Sequence, residues 1–329
     1  MPKLSLRSLV GLTICCAATA NAADKGGATA EFPAKPIRIV VPIAPGGSTD
    51  YMGRLLAQRI GDHVGPPVIV DNRPGAGGNI GTDIVAKAAP DGYTVVCANV
   101  SSIAINGSLY KKMPYDPIKD LAPITLLSVF PNVIVVQPSF PAKSIKELIA
   151  LAKAKPDSLT FGSAGNGSST HLAPELLKTM AGIRMTHVPY KGGGPALIAV
   201  ISGEVSMYFS STIAATPHIQ SGKLAAIAVT SARRWPTLPA VPTVAESGLA
   251  QYEALNWSGL LAPAGTPPAV LSWWNKEVTS ILRDKEVSTQ LMSQGAQPAP
   301  TSREEFARYI HAETEKWSAV VKASGARVD

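Results

Sequence analysis

Short β-branched apolar runs alternate with amphipathic stretches along most of the chain. The first run, Ile37 to Val41, is followed by an apolar–polar repeat of helical period over Tyr51 to Ile60. Val68 to Val70 then leads through a glycine-rich loop to a second helical stretch, Ile80 to Ala88, and Thr94 to Ala98 is the next strand. Continuous β-branched strands separated by amphipathic helices are typical of a doubly wound, mostly parallel sheet.

The same alternation starts again near Val133. Ser144 begins a capping-box sequence, and Gly182 is a typical residue to end a helix. Further on, the pattern predicts a strand over Trp257 to Leu261 and two or three helices, the last from Glu304 to Ser324. Between Val133 and Trp257, the pattern predicts helices over Ser144 to Lys155, His171 to Gly182 and Pro195 to Ile201. It predicts strands over Leu159 to Phe161, Val205 to Phe209 and Leu224 to Val229, and one that ends at Val188.

The second alternation is predicted to be an insertion between two parts of the first. The chain would cross over near Phe130 to Val135 and return near Tyr252 to Leu261. One lobe would then comprise residues 33–131 plus 252–329, and the other residues 132–251. Two such crossings form a hinge, and the cleft at the carboxyl ends of the strands is the usual place for a small ligand. The predicted fold is α/β and two-lobed, each lobe a doubly wound, mostly parallel sheet.

The first residues have the pattern of a secretory signal peptide. A positively charged start precedes an apolar stretch from Leu9 to Ala20, and Ala20-Asn21-Ala22 is a small-residue cleavage site. We predict a signal peptide at residues 1–22, a spacer at residues 23–32, and export to the periplasm. No later run reaches the roughly 18 apolar residues of a membrane span, so the mature protein is expected to be soluble. Cleavage would leave Cys97 as its one cysteine, so no internal disulfide is expected.

The formal net charge of +7 is spread along the chain. Basic residues form no block longer than the pairs Lys111-Lys112 and Arg233-Arg234, and aromatic residues are sparse. Nucleic-acid-binding proteins usually concentrate basic residues in one stripe, so we predict no nucleic-acid partner. A diffuse positive surface attracts small anions modestly, but it does not identify a site. We expect a monomer.

Two glycine-rich turns are the strongest candidates for ligand binding. They are Ala44 to Asp50 and Ser163 to His171, and each follows a β-branched run and precedes an amphipathic helix. Glycine lets the backbone approach a ligand closely, and the first N–H groups of a helix have no partner within it. Together with the helix dipole, those donors form an anion site that needs no lysine or arginine. Two such turns in separate lobes predict two sides of one anion site.

The candidate ligand-binding residues come from these turns and from one further loop. Their hydroxyl groups either donate to a ligand or only cap the helices. Asp50 either accepts from a ligand or complements the helix N-terminus, and His171 either faces the cleft or packs behind it. Tyr190 begins a third glycine-rich connection from strand to helix. The full set is Gly46, Gly47, Ser48, Thr49, Asp50, Ser163, Ala164, Gly165, Gly167, Ser168, His171 and Tyr190.

Spacing argues against several other chemistries. The loop Asn72 to Gly81 resembles a dinucleotide-binding fingerprint, but Ile80 stands where the third glycine belongs. The five histidines lack zinc-binding spacing, and neither Gly-x-Ser-x-Gly nor a serine–histidine–acid arrangement is evident. We therefore predict no cofactor, no metal, no catalytic residue and no enzymatic activity. An exported hydrolase or lyase of carboxylated substrates is the enzyme alternative.

Several segments, taken together in their order and spacing along the chain, resemble the Bug-type extracytoplasmic solute receptors of tripartite tricarboxylate transporters. They are Lys35 to Pro42, Pro45 to Asp50 with Arg54, Asn72 to Gly81, Pro90 to Thr94, Pro114 to Pro117, Ser163 to Leu172, His187 to Gly192, Pro242 to Glu246 and Gly259 to Pro267. The resemblance implies a periplasmic Venus-flytrap protein that delivers a di- or tricarboxylate, an amino acid or an aromatic acid to membrane-embedded transporter subunits. A receptor that presents its ligand to a sensor kinase is the alternative.

The resemblance also implies how a ligand is held. In that family, backbone N–H groups and ordered water from the two loops bind one ligand carboxylate. Asp50 matches the family's acidic position and His171 its histidine, whereas Gly53 stands where members usually carry alanine. Carried over to this chain, the resemblance places contacts at Gly47, Ser48, Thr49, Ala164, Gly165 and Ser168.

Overall fold

The computed structural model describes residues 32–328, so the predicted signal peptide and nearly all of the predicted spacer lie outside the described residues. The strands in this range are β1 Ile37–Val41, β2 Val68–Asn72, β3 Thr94–Asn99, β4 Leu121–Val136, β5 Thr160–Ser163, β6 Thr186–Pro189, β7 Met207–Ser211, β8 Ala225–Val229, β9 Leu255–Pro263 and β10 Gln297–Pro298. The α-helices are α1 Ser48–Gly61, α2 Asn79–Ala86, α3 Asn106–Leu109, α4 Ile145–Ala154, α5 Ser169–Ala181, α6 Gly193–Ser202, α7 Thr212–Gln220, α8 Pro268–Arg283, α9 Lys285–Ser293 and α10 Arg303–Ser324.

The strands form one continuous sheet whose two halves share β4. In the first half, β2, β1, β3 and β4 run in one direction, and β9 and β10 run in the other. In the second half, β6, β5, β7 and β8 share a direction, and the end of β4 runs against them. Each half is therefore mixed: β1 pairs in parallel with β2 and β3, and β5 with β6 and β7, whereas every pairing of β4 and β9 is antiparallel. The predicted α/β class and two-lobed fold are confirmed.

Strand β4 is longer than the sequence pattern predicted. It pairs with β9 from Leu121 as far as Pro131, and from Asn132 onward it pairs with β7. Prolines at positions 123 and 131 interrupt its apolar run, and proline cannot donate to a ladder, so the pattern predicted a strand only from near Val133. A register shift after Pro123 accommodates the first of these interruptions.

Local signals set several helix ends. Gly182 ends α5 in the left-handed conformation (φ 61°), as predicted. At the start of α4, the hydroxyl of Ser144 accepts from the N–H of Glu147 at 3.2 Å. The Glu147 carboxylate, however, accepts from the N–H of Lys143, one residue before the position that a full capping box requires. Only half of the predicted box therefore forms.

Helix α10 packs on the sheet around a buried carboxylate. Glu313 accepts from the indole N–H of Trp257 at 3.0 Å and of Trp317 at 2.9 Å, and it also pairs with Lys316. Both indole rings are fully buried, so the carboxylate satisfies donors that water cannot reach. No helix within residues 32–328 has the length and apolar character needed to cross a bilayer.

Candidate ligand-binding cleft

The first glycine-rich turn links β1 to α1 and leaves backbone donors free. Gly47 is the N-cap of α1 with extended backbone (φ −82°, ψ 167°), and its carbonyl accepts from the N–H of Tyr51 at 2.9 Å. Among residues 32–328, no hydrogen bond uses the N–H groups of Gly47, Ser48 or Thr49. The start of α1 therefore offers three unpaired donors at the positive end of its dipole.

Asp50 holds the shape of this turn. Its carboxylate accepts from the N–H of Gly46 at 2.9 Å, from Arg54 at 3.0 Å and from the amide of Asn72 at 2.8 Å. Burial alone would raise the pKa of Asp50, but the hydrogen bonds from Arg54, Gly46 and Asn72 outweigh it, so the pKa lies below its usual value. The geometry favours this holding role over a direct ligand contact.

The second turn, between β5 and α5, uses most of its donors internally. Within the described part of the chain, the N–H groups left unpaired are those of Asn166, Ser169 and Thr170. Most of the donors predicted for this turn are therefore already paired, and the free ones lie at its tip and at the start of α5. At 2.8 to 3.2 Å, the paired N–H groups donate from Ala164 to Thr170 Oγ1, from Gly165 to Ser163 Oγ, from Gly167 to His171 Nδ1 and from Ser168 to Gly165 O.

Two neutral histidines lie behind the second turn. Burial chiefly, with the nearby His187 and Lys178 charges, lowers the pKa of His171 to about 3. Burial and Lys178 lower the pKa of His187 to about 4. His171 is only 5% exposed and accepts from Gly167, so it supports the turn from behind.

A serine–histidine pair is present that the sequence spacing did not reveal. Ser163 Oγ lies 2.6 Å from His187 Nε2. The same oxygen accepts from the N–H of Gly165 at 3.1 Å, so Ser163 connects His187 to the turn. Ser163 is fully buried, whereas a nucleophile must meet its substrate. The pair therefore connects the end of β5 to β6 beneath the turn.

A cavity of about 390 Å³ lies between the two turns. This volume is within the roughly 300–1,000 Å³ typical of small-molecule sites. Of the predicted residues, Ala164, Gly167 and Ser168 line it. The rest of its wall is Pro42, Ile43, Ala44, Pro74, Gly75, Gly77, Gly78, Asn99, Ser101, Asn106, Leu109, Tyr110 and Asn166. Two larger surface grooves, of about 840 and 980 Å³, receive no residue from either turn in the described chain.

The remaining predicted residues lie elsewhere. Gly46, Gly47 and Ser48 line a separate, smaller cavity of about 140 Å³. The Tyr190 hydroxyl donates to Glu204 at 2.7 Å, and burial together with that carboxylate raises the pKa of Tyr190 to about 12. In the described chain, the predicted residues that line neither cavity are Thr49, Asp50, Ser163, Gly165, His171 and Tyr190.

Sequence reasoning missed two parts of the larger cavity. One is the loop Pro74 to Gly78, which was weighed only as a nucleotide fingerprint; Gly75 to Gly78 all have positive φ, including Ala76 at 48°. The other is the wall formed by Asn99, Ser101 and Tyr110. Asn99 ends β3, and the rule that ligands bind at the carboxyl ends of strands could have identified it.

The fold and the cleft define a two-lobed solute-binding protein. Residues 52–326 match the family described as the tripartite tricarboxylate transporter family receptor, TctC. The chain belongs to this family, which confirms the resemblance drawn from its motifs. Protein BugT of Bordetella pertussis is 39% identical over 298 residues, which cover 90% of this chain and 91% of that protein.

Solved structures agree with this assignment. Rpa4515 of R. palustris, solved with adipate, is 36% identical with a TM-score of 0.81, covering 90% of this chain and 100% of that one. MatC of Rhodopseudomonas palustris, solved with bound malate, is 33% identical with a TM-score of 0.76, covering 88% of this chain and 100% of that one.

Proposed function

We propose that this protein is a monomeric periplasmic receptor that captures a small carboxylate and delivers it to the membrane subunits of a tripartite tricarboxylate transporter. The observation that carries the proposal is the set of free N–H groups on Gly47, Ser48 and Thr49 at the start of α1. Adipate in Rpa4515 and malate in MatC support a carboxylate as the ligand class.

The lobes proposed are residues 33–131 plus 252–329, and residues 132–251. In support, β4 changes its partner from β9 to β7 between Pro131 and Asn132. The cavity receives residues from both lobes. A ligand there touches both lobes only when they are closed, so binding favours the closed state.

The carboxylate is held by oriented dipoles in place of a basic side chain. In the first lobe, the unpaired N–H groups at the start of α1 donate to it. Gly47 and Ser48 line the smaller cavity of about 140 Å³, so the ligand must extend from the larger cavity to the start of α1. In the second lobe, Asn166 and the first N–H groups of α5 donate, and the internally bonded turn keeps them in place. Each charge-assisted hydrogen bond contributes roughly 1.5–3 kcal/mol.

The receptor releases its ligand chemically unchanged. The one observation that favours a hydrolase instead is the contact between Ser163 and His187, and the burial of Ser163 argues against that function. Incubation with a bound ligand, followed by mass spectrometry of the released compound, separates the two candidates. A receptor returns the same mass, whereas a hydrolase returns a product that a Ser163→Ala variant no longer forms.

A thermal-shift panel tests the binding function. Mono-, di- and tricarboxylates, amino acids and aromatic acids are each compared with the fully methylated ester of the same acid, which has no carboxylate charge. A ligand at about 100 times its dissociation constant stabilises the folded protein by roughly 2.7 kcal/mol. We expect at least one free acid to raise the melting temperature while its ester does not. A panel in which no acid is distinguished from its ester would contradict the function.

A further inference from the structure

Every side chain that lines the larger interlobe cavity is formally neutral. Within the described chain, its wall combines small, apolar, hydroxyl and amide residues with the backbone of three loops, and no Asp, Glu, Lys, Arg or His belongs to it. A buried ammonium group without a carboxylate partner costs several kcal/mol. The wall therefore discriminates by hydrogen bonding rather than by charge.

One side of this cavity carries donors that the protein itself does not use. In residues 32–328, no hydrogen bond involves the hydroxyl of Tyr110 or of Ser101. A methyl group placed on Gly77 would lie 3.2 Å from the Tyr110 hydroxyl, which locates that hydroxyl at the cavity wall. Burial raises the pKa of Tyr110, so the hydroxyl keeps its proton and can donate it.

Asn99 completes this set. Its side-chain oxygen accepts from the N–H of Ser102 at 3.2 Å, which fixes the amide orientation. In the described chain, the amide nitrogen of Asn99 has no acceptor, and the residue lines the cavity. An amide held in this way presents N–H groups to whatever occupies the space.

We propose that Asn99, Ser101 and Tyr110 recognise the far end of the ligand and select an oxygen acceptor there. The inference rests on the proposed function, because the two turns must first hold the ligand's carboxylate. The selected class is then an organic acid whose far end carries a hydroxyl, a carbonyl or a second carboxylate. An α-ammonium group is disfavoured, because only neutral oxygens are available to accept from it.

Calorimetric titration with a matched series of acids tests this selection. The series holds the plain diacid, its hydroxy derivative and its amino derivative at four, five and six carbons; succinate, malate and aspartate are the four-carbon set. For the chain length that binds best, we expect the amino derivative to bind at least about tenfold more weakly than the hydroxy derivative.

Two variants test the assigned residues. Tyr110→Phe should weaken the hydroxy acid about tenfold by removing one hydrogen bond to the ligand. Asn99→Asp keeps the oxygen that accepts from Ser102 but places a charge in the cavity, so it should shift the preference at least about tenfold toward the amino acid. Ser108→Ala, on the neighbouring helix α3 and facing a different groove, is the matched control with no expected change.

The outcomes separate this inference from the function on which it rests. If wild-type protein prefers the amino acid and Asn99→Asp leaves the order unchanged, the selection is overturned while the receptor function stands. If no acid of the series binds but another acid of the thermal-shift panel does, the inference is overturned while the receptor function stands; if no acid of the panel binds, both fail. Melting curves establish that the variants are folded; if Tyr110→Phe does not fold, the direction of the shift in Asn99→Asp decides.

Discussion

His171 and His187 stack face to face, with ring centroids 3.9 Å apart and ring planes 12° from parallel. Each ring is hydrogen-bonded to the second glycine-rich turn: His171 Nδ1 accepts from the N–H of Gly167, and His187 Nε2 lies 2.6 Å from Ser163 Oγ. An imidazolium ion has no acceptor nitrogen, and two charged rings at this distance repel each other. The hydrogen bond from Gly167 therefore requires a neutral His171 ring, and the close stacking disfavours charging both rings.

Acid is expected to destabilise the protein through this pair. The pKa of His171 is about 3 in the folded protein and near the ordinary histidine value of 6.5 in the unfolded chain. Between these values the unfolded chain binds more protons, so stability falls as the pH falls. His171 alone should cost about 2 kcal/mol between pH 6.5 and pH 4.5. Urea unfolding at both pH values measures this loss.

Two variants assign the acid sensitivity to His171. His171→Asn keeps an acceptor near Gly167 but does not titrate, so the stability difference between the two pH values should shrink. His311→Asn, at an exposed position on α10, should leave that difference as it is in the wild type. An unchanged difference in His171→Asn would contradict the assignment.

Asp50→Asn should loosen the first turn. The substitution removes the charge that accepts from Gly46, Arg54 and Asn72, and it puts an amide nitrogen among donors. We expect a loss of about 2 kcal/mol in unfolding free energy together with weaker carboxylate binding. Asp157→Asn, in an exposed ion pair with Arg184, should cost less than about 0.5 kcal/mol. Equal losses in the two variants would contradict a special role for Asp50.

Gly47→Val should block the backbone approach of the ligand without unfolding the protein. The extended backbone of Gly47 suits valine, and a Cβ there would meet only the end of the Ile43 side chain, at 2.6 Å. Carboxylate affinity should fall at least about tenfold, which corresponds to losing one charge-assisted hydrogen bond. Gly61→Val, at the end of α1 with open space around it, is the control. Wild-type affinity in Gly47→Val, measured by calorimetry, would exclude this position from the site.

Glu313→Leu should destabilise the fold by about 3 kcal/mol, because it leaves the indole N–H groups of Trp257 and Trp317 buried without an acceptor. Glu313→Gln should cost less, since both indole N–H groups donate to the same oxygen, Oε2, and an amide oxygen can take its place. Chemical unfolding followed by tryptophan fluorescence measures both losses. Glu315→Gln, exposed on the same helix, serves as the control. A Glu313→Leu variant as stable as the control would show that the carboxylate is dispensable.

Much of the fold was predictable because its signals are local. The bounds predicted for β1 match the structure, and α1 begins at Ser48, three residues before the first apolar position of its helical repeat. The continuity of β4 was not predictable, because prolines interrupt its pattern and its pairing with β9 joins distant parts of the chain. Pairing between strands that are far apart in the chain produces no periodic pattern of residues in the sequence.

The candidate site was predictable in part, for the same reason. A glycine-rich turn before a helix revealed the free donors of Gly47 to Thr49. In the second turn, the side chains of Thr170 and His171 fold back and accept hydrogen bonds from backbone N–H groups of the turn. Residue spacing alone does not specify these side-chain positions. Tyr110 reaches the cavity through the packing of α3 beside the loop at Gly77, and no local motif indicates that contact.

A crystal structure with the tightest-binding acid of the panel shows which groups hold the ligand carboxylate. We predict one ligand carboxylate oxygen about 2.7–3.2 Å from backbone nitrogens of the segment Gly47 to Thr49, with the other lobe closed over it through Asn166 and the start of α5. A carboxylate bound instead by a lysine or arginine side chain, or located outside the cleft between the two glycine-rich turns, would contradict the account.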